Sequence, residues 1–419
     1  MIPAAEAEAK ILALTPSPRG ASSIEDVPLA QAHQRILAKA VSSTLDFPHW
    51  DNSAMDGYAV RFEDVQHASA DCPRTLGITE EIPAGKPPTK PIQSGQAARI
   101  LTGSMLPEGA DTIVIQEVTQ REGGEVIILE APNPGQFVRP KGSFYQAGTD
   151  LLPAGIRLGG PEIAVLAAAQ RTSLPVYRRP RVAILSTGDE LVPPETPLQS
   201  GQIVDSNQYA LAGLVEEIGA IPVPLGIIPD TPDALAEAIQ IALQKADLIL
   251  SSGGVSVGDY DYVDQVLTNL GATLHIRKVA VKPGKPLTVA TFSPASSGHV
   301  VPGDILYFGL PGNPVSALVS FWRFVIPALR KRSGLPGGWS PTFVSATTQD
   351  ALKAGGGRET YLWGDLTLSD QGHRFHLAAG SHSSGNLVNL AGTNALAVLP
   401  VGTRQIDAGT KVTVMQVRS

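Results

Sequence analysis

The chain has 419 residues, 43% hydrophobic and 17% charged, which suits roughly two to four folded domains and excludes wholesale disorder. A net charge of −7 and only 5% aromatic residues argue against a general nucleic-acid binder acting through a basic footprint or base stacking. The single cysteine, Cys72, excludes an internal disulfide and a cysteine-based zinc finger, and no uncharged apolar run approaches a membrane span.

At the N-terminus, Glu6, Glu8 and Lys10 stand where a signal peptide would need an apolar stretch, so a soluble cytoplasmic protein with no membrane or nucleic-acid partner is expected. The first 40 or so residues read as helical. Ile11, Leu12 and Leu14 form one apolar patch before Pro16 and Pro18, and a second helix is expected near Pro28 to Ala40, with Leu29, Ile36 and Leu37 on one side. Asp46 to Val60 follows, rich in turn formers and dense in functional groups. Short β-like runs come next, Ala98–Leu101, Asp111–Gln116 and Glu125–Leu129, separated by Gly and Pro. Glu162–Gln170 is an Ala-rich helix behind Pro161.

From Arg181 the pattern alternates strand and helix. Arg181–Ser186, Val223–Ile228, Asp247–Ser251 and Ile305–Gly309 read as strands. Helices are expected over Ser206–Ile218, from the Thr231 cap to Lys245, after Asp261 to about Gly271, and from Asn313-Pro314 to about Arg332. Such alternation implies a mostly parallel sheet with helices on both faces and a ligand beyond the C-terminal ends of its strands. Beyond Ser333 the chain is rich in Gly, Thr and Val in short alternating runs such as Lys411–Val417, which reads as a small all-β module.

Four loops that follow strands in the 181–332 region are the candidates to carry chemistry. Ser186-Thr187-Gly188-Asp189-Glu190 places two acids at a strand end, equally explicable as a helix cap with first-turn carboxylates. In Ser251-Ser252-Gly253-Gly254-Val255-Ser256 and the residues to Asp261, glycines let a ligand approach backbone N–H groups, although neither a Walker loop nor a dinucleotide fingerprint is present. Lys278, Lys282 and Lys285 crowd one turn stiffened by Pro283, Gly284 and Pro286; clustered like charges repel unless an anion sits among them, and the alternative is a solvated hairpin tip. Pro311-Gly312-Asn313-Pro314 opens a helix whose first N–H groups face the strand ends. The scattered histidines suggest no metal site; His373 and His376, on a strand, would face opposite sides.

Taken together these motifs resemble the MoeA family of molybdopterin molybdenumtransferases, which includes the gephyrin E domain. The carrying segments are DFPHWDNSAMDGYAV, RILTGSMLPEGADTIVIQE, RVAILSTGDELV, SSGGVSVGDYDYV, KVAVKPGKPL and LPGNPVSA, in the family's order from Asp46 to Ser316. Asn52 to Ala59 is the most specific of them. The resemblance implies a multidomain α/β plus β fold. Its parts are a split helical domain (1–45 and 140–178), an inserted β domain (46–139), a molybdopterin-binding α/β domain (179–332) and a C-terminal β-barrel (333–419). It also implies a homodimer with each site completed across the interface, so that Asp56 and Thr102 face the 181–332 loops of the other chain.

The implied reaction inserts molybdate into the dithiolene of adenylylated molybdopterin and releases AMP, using Mg2+ or another divalent cation, with a molybdopterin adenylyltransferase as the substrate donor. Matched residue by residue, Asp56, Glu190 and Asp261 would be catalytic, and Glu190, Asp230 and Asp261 would hold the metal. Substrate would be bound by Thr102, Ser251, Gly253, Gly254, Ser256, Lys278, Lys282, Lys285, Pro311, Pro314 and Arg358. Such chemistry needs carboxylates for the cation and positive donors for phosphate and oxyanion charge. One position departs from the family pattern: Ser143-Phe144 follows Gly142 where the family commonly shows Glu-Asp. Competing readings are a molybdopterin adenylyltransferase, a non-catalytic receptor scaffold, and a reduced-activity or tungstate-handling paralogue.

Overall fold

The computed structural model describes residues 1–254, 262–293 and 304–418. Two compact units emerge, one made of Met1–Lys39, Gly155–Gly160 and Ser173–Ser419, the other of Ala40–Ala154 and Pro161–Thr172.

The larger unit is built on a six-stranded sheet in the order 221–228, 181–187, 248–252, 305–310, 286–292, 273–278. The first four strands are parallel; 286–292 runs antiparallel to both of its neighbours. Alternate residues divide between two cores. Val182 and Ile184 face Leu211 and Val215 of the helix Asn207–Glu217, whereas Ala183 and Leu185 face Leu235 and Ile239 of the helix Pro232–Lys245. That even split is why the middle of the strand, Val182 to Leu185, is apolar at every position. Thr231 caps the second helix through its hydroxyl, which accepts from the Ala234 N–H at 3.4 Å.

Five further strands of this unit close a barrel. Glu359–Ser369, Gly372–Leu377, Phe343–Thr348, Lys411–Gln416 and Ala395–Leu399 pair in that order, and the last pairs back to the first. Val412 and Val414 point into its core with Phe375 and Leu366, as alternation along Lys411–Val417 predicts. The same barrel packs Tyr361 and Trp363 outward onto the core shared with Ala4, Ala7 and Ile11 of the N-terminal helix Ala4–Leu14.

The smaller unit holds a six-stranded sheet in the order 112–115, 57–60, 96–100, 74–82, 125–128, 119–122. Tyr58 and Val60 pack on one face, Ala59 on the other.

One expected element is corrected. Pro28 to Ala40 contains a single 3-10 turn, Leu29–Gln31, and no α-helix. Its backbone is spent elsewhere: the N–H groups of Gln34, Leu37 and Ala38 donate to Leu158, Ile156 and Pro175. Gln34 takes φ +63°, a value no right-handed helix allows. The spacing of Leu29, Ile36 and Leu37 therefore reflects docking of an irregular segment.

Candidate functional site

Three parallel strands, 181–187, 248–252 and 305–310, end side by side, and their following loops enclose a cleft of about 550 Å³. Thr187, Gly188, Glu190, Asp230, Ser252, Gly253, Gly254, Tyr262 and the turn Gly312-Asn313-Pro314 line it, together with Asn207. Glycine is required where the second loop crosses the first. A Cβ on Gly253 (φ +91°) would lie 2.2 Å from the Thr187 carbonyl oxygen, and one on Gly254 (φ +65°) would lie 2.7 Å from Thr187 Oγ1.

The acids of the first loop are exposed in a turn, not at a helix start. Leu191 begins the short strand Leu191–Val192, so the helix-cap reading of Asp189 and Glu190 fails for want of a helix. The Glu190 carboxylate lies over Gly188. Asp189 Oδ1 accepts the Asp230 N–H at 3.0 Å, and Tyr262 donates its hydroxyl to the Asp230 carboxylate, which ties the two acidic loops together. Among the described residues no three His, Cys, Asp or Glu side chains cluster as a metal site. Asp261, the third expected ligand, lies outside the described residues, as does Ser256. Glu190 and Asp230 bring carboxylate oxygens to a cleft that also holds the buried Thr187 hydroxyl, which has no partner among the described residues. An all-oxygen set of this kind suits a hard divalent cation.

Ser251 is placed differently from expectation. Its hydroxyl is buried and hydrogen-bonded to Tyr307 OH at 2.5 Å, and it does not line the cleft, because residue 251 points to the opposite face of the strand from residue 252.

The basic residues form a second row on the same sheet edge. Pro286 pairs with Lys278 and Thr288 with Gly309, so the turn 279–285 lies at the edge where Ile305–Leu310 ends. A Cβ on Gly284 would lie 2.8 Å from Ser320 Oγ, which seats the turn on the helix Pro314–Ser320. Val281–Lys282 pairs with Glu359 and Thr360 of the barrel, and Arg358 Nη1 donates to the Val281 carbonyl at 3.1 Å. Lys278, Lys282, Lys285 and Arg358 are therefore gathered by the backbone around one turn, beside the cleft rather than within its lining. Pro311 is buried, and Pro314 lines the cleft.

In the smaller unit, the segment Asn52–Gly57 is a tight turn. Asp56 Oδ1 accepts from both the Thr102 N–H and the Thr102 hydroxyl, each at 2.7 Å. Those two bonds, the hydroxyl first, hold the Asp56 carboxyl below its ordinary value. Asp51 Oδ1 accepts the Lys141 N–H at 2.6 Å, and Asp46 accepts the Ala147 N–H at 2.9 Å and faces Lys141 Nζ at 3.4 Å. At Ser143-Phe144, the Phe144 side chain is 63% exposed with its ring 5.7 Å from that of Phe47.

Reasoning from sequence missed Asn207 and Tyr262. Asn207 follows Ser206 at a helix start, where it reads as ordinary capping chemistry, and Tyr262 reads as an ordinary amphipathic helix residue.

Comparison with known proteins bears on the site as a whole. Family models match over most of the chain: "MoeA N-terminal region (domain I and II)" at residues 2–169, "Probable molybdopterin binding domain" at 183–331 and "MoeA C-terminal region (domain IV)" at 345–417. A molybdopterin molybdenumtransferase of Nostoc sp. is 57% identical over 97% of this chain and 92% of its own length. Another, of Haemophilus influenzae, is 35% identical over 98% and 97%. The crystal structure of a molybdopterin biosynthesis MoeA protein from Pyrococcus horikoshii superposes with a TM-score of 0.81 at 28% identity, covering 99% of this chain and 100% of that one.

Proposed function

This chain belongs to the molybdopterin molybdenumtransferase (MoeA) family, and we propose that it inserts molybdate into the dithiolene of adenylylated molybdopterin with release of AMP. The observation that carries the reading is the cleft at the ends of three parallel strands, with glycine loops and carboxylates inside it and four basic residues along the same edge. Releasing AMP breaks a phosphoanhydride, so catalysis is mainly positioning and charge stabilisation. Backbone N–H groups of the Gly253-Gly254 loop and the Gly312 turn would receive phosphate oxygens. Lys278, Lys282, Lys285 and Arg358 supply positive donors for an oxyanion.

Glu190 and Asp230 are the described residues that would hold Mg2+ or another divalent cation, joined by Asp261. Such an ion, when bound, offsets charge on the phosphate oxygens. Tyr262 orients Asp230 for that role by donating to its carboxylate. Asp56, whose carboxyl Thr102 favours in its ionised form, would complete the cleft of a second copy, as the resemblance implies, so the working unit is proposed to be a homodimer. Its substrate would come from a molybdopterin adenylyltransferase in the cytoplasm.

The test is incubation with adenylylated molybdopterin, Mg2+ and molybdate, following AMP and cofactor formation. Production of pyrophosphate from ATP and molybdopterin, with no AMP release, would replace this reading with the adenylyltransferase one.

A further inference from the structure

Asn207 is the first residue of the helix Asn207–Glu217 and is 7% exposed. Its Nδ2 donates to Ser252 Oγ at 2.6 Å and to the Gly312 carbonyl at 2.8 Å. A carbonyl oxygen can only accept, so the nitrogen must face Gly312 and the amide orientation is determined. Both N–H bonds are thereby used, and they run to different loops. One goes to the end of Leu248–Ser252, the other to the turn after Ile305–Leu310. These loops touch directly: a Cβ on Gly312 would lie 3.4 Å from Gly253 Cα. The backbone bond joining them, from Gly253 N–H to Leu310 O, is long at 3.4 Å. Asn207 Oδ1 is buried with no partner among the described residues.

We infer that Asn207 is a positioning residue, a clamp that sets the gap between the Gly253-Gly254 loop and the Gly312 turn for an adenylylated, phosphate-bearing substrate. The inference rests on the proposed function. Loops that present N–H groups to an anion bind it well only if their separation is set before the ligand arrives. A long backbone bond between two glycine-bearing segments does not set it, and two side-chain bonds from a third segment do. Helix capping does not explain these bonds, since both leave the helix for neighbouring loops.

The test uses the full chain carrying Asn207→Ala or Asn207→Asp, the second keeping the shape while removing both donors. Hydrogen–deuterium exchange without ligand should speed up in the peptides covering 248–254 and 305–314 and stay unchanged elsewhere. In the AMP-release assay, KM for adenylylated molybdopterin should rise about tenfold or more, from the loss of two hydrogen bonds, with a smaller change in kcat. Lowering the pH protonates the carboxyl of the Asn207→Asp variant and returns one donor, so its KM should fall toward the wild-type value. Unchanged exchange in the two peptides overturns the clamp, and faster exchange with unchanged KM overturns its role in binding. If the wild-type chain releases no AMP while the exchange result holds, the proposed function fails and the clamp does not.

Discussion

Thr102 gives both its backbone N–H and its hydroxyl to a single oxygen of Asp56. Two donors on one oxygen leave the other oxygen free to engage a second group, and they favour the ionised form. Thr102→Val keeps shape and removes the hydroxyl, so the Asp56 carboxyl should titrate at a higher pH than in the wild type. Carboxyl NMR titration checks this, and an unmoved Asp56 would dissociate the pair. The sign for stability follows. A carboxyl lowered by folding stabilises fully above its unfolded value and loses that contribution as pH falls through the native one. The difference in unfolding free energy between wild type and variant should therefore be present at neutral pH and vanish as the pH falls through the lowered native value of Asp56.

Glu190 stands in a turn with no helix behind it, so its charge has no helix dipole to serve. Glu190→Gln should leave thermal unfolding unchanged and reduce AMP release by about 10²-fold. Normal turnover in the variant would remove Glu190 from the site.

Lys282 is exposed on a two-residue strand whose backbone pairs with the barrel, so its side chain contributes little to folding. Lys282→Ala should weaken molybdate binding about tenfold or more, the loss expected for a charge-assisted hydrogen bond, with no change in melting. Lys278→Ala should behave alike. Arg358→Ala should also loosen the turn, because Arg358 bonds the Val281 carbonyl as well. Titration calorimetry with molybdate distinguishes a binding loop from a solvated one.

Gly253→Ala forces a Cβ to 2.2 Å from the Thr187 carbonyl at a φ of +91°. The loop must move, at a cost of about 1–3 kcal/mol. The denaturant midpoint should fall accordingly, and substrate binding should fall with it. A Gly253→Ala chain as stable and as tight-binding as the wild type would show the close approach to be dispensable.

Arg323 is buried beside Glu8, Tyr361 and the ring of Phe343. Burial works against its charge, but Tyr361 and Glu8 outweigh burial and raise its pKa. Glu8→Ala leaves that guanidinium without its carboxylate and should cost about 3–5 kcal/mol of stability, read from chemical denaturation. Glu8→Gln, which keeps an acceptor, should cost less.

How far the sequence was legible follows from the range of the interactions. Val182–Leu185 and Ile305–Leu310 read as unbroken buried strand runs because both faces are covered, and Thr231-Pro232 marks a helix start by local chemistry alone. The glycine loops announce themselves because Gly253 and Gly254 meet Thr187 across a distance no side chain tolerates. Non-local pairing is what stayed hidden. Pro28–Ala40 has helical spacing but gives its N–H groups to residues 156–158 and 175. Ser251 and Ser252 look alike in sequence, yet one bonds Tyr307 inside the core and the other receives Asn207 at the cleft. Asn207 has a helix-start context that conceals a contact to Gly312, 105 residues away.

The strand Glu359–Ser369 belongs to two structures at once: most of it closes the barrel, and its first two residues pair with Val281 and Lys282. A chain ending at Arg332 would keep every strand of the α/β sheet but leave the basic turn hanging from one side, with Arg358 gone. The barrel thus acts as a jig for Lys282, the lysine proposed to face the oxyanion, and domain boundaries drawn by strand count cut through the proposed site. Insertions or deletions in barrel loops that shift the register of Glu359–Ser369 by one residue would turn Thr360 away from Lys282, transmitting a distant length change to the chemistry.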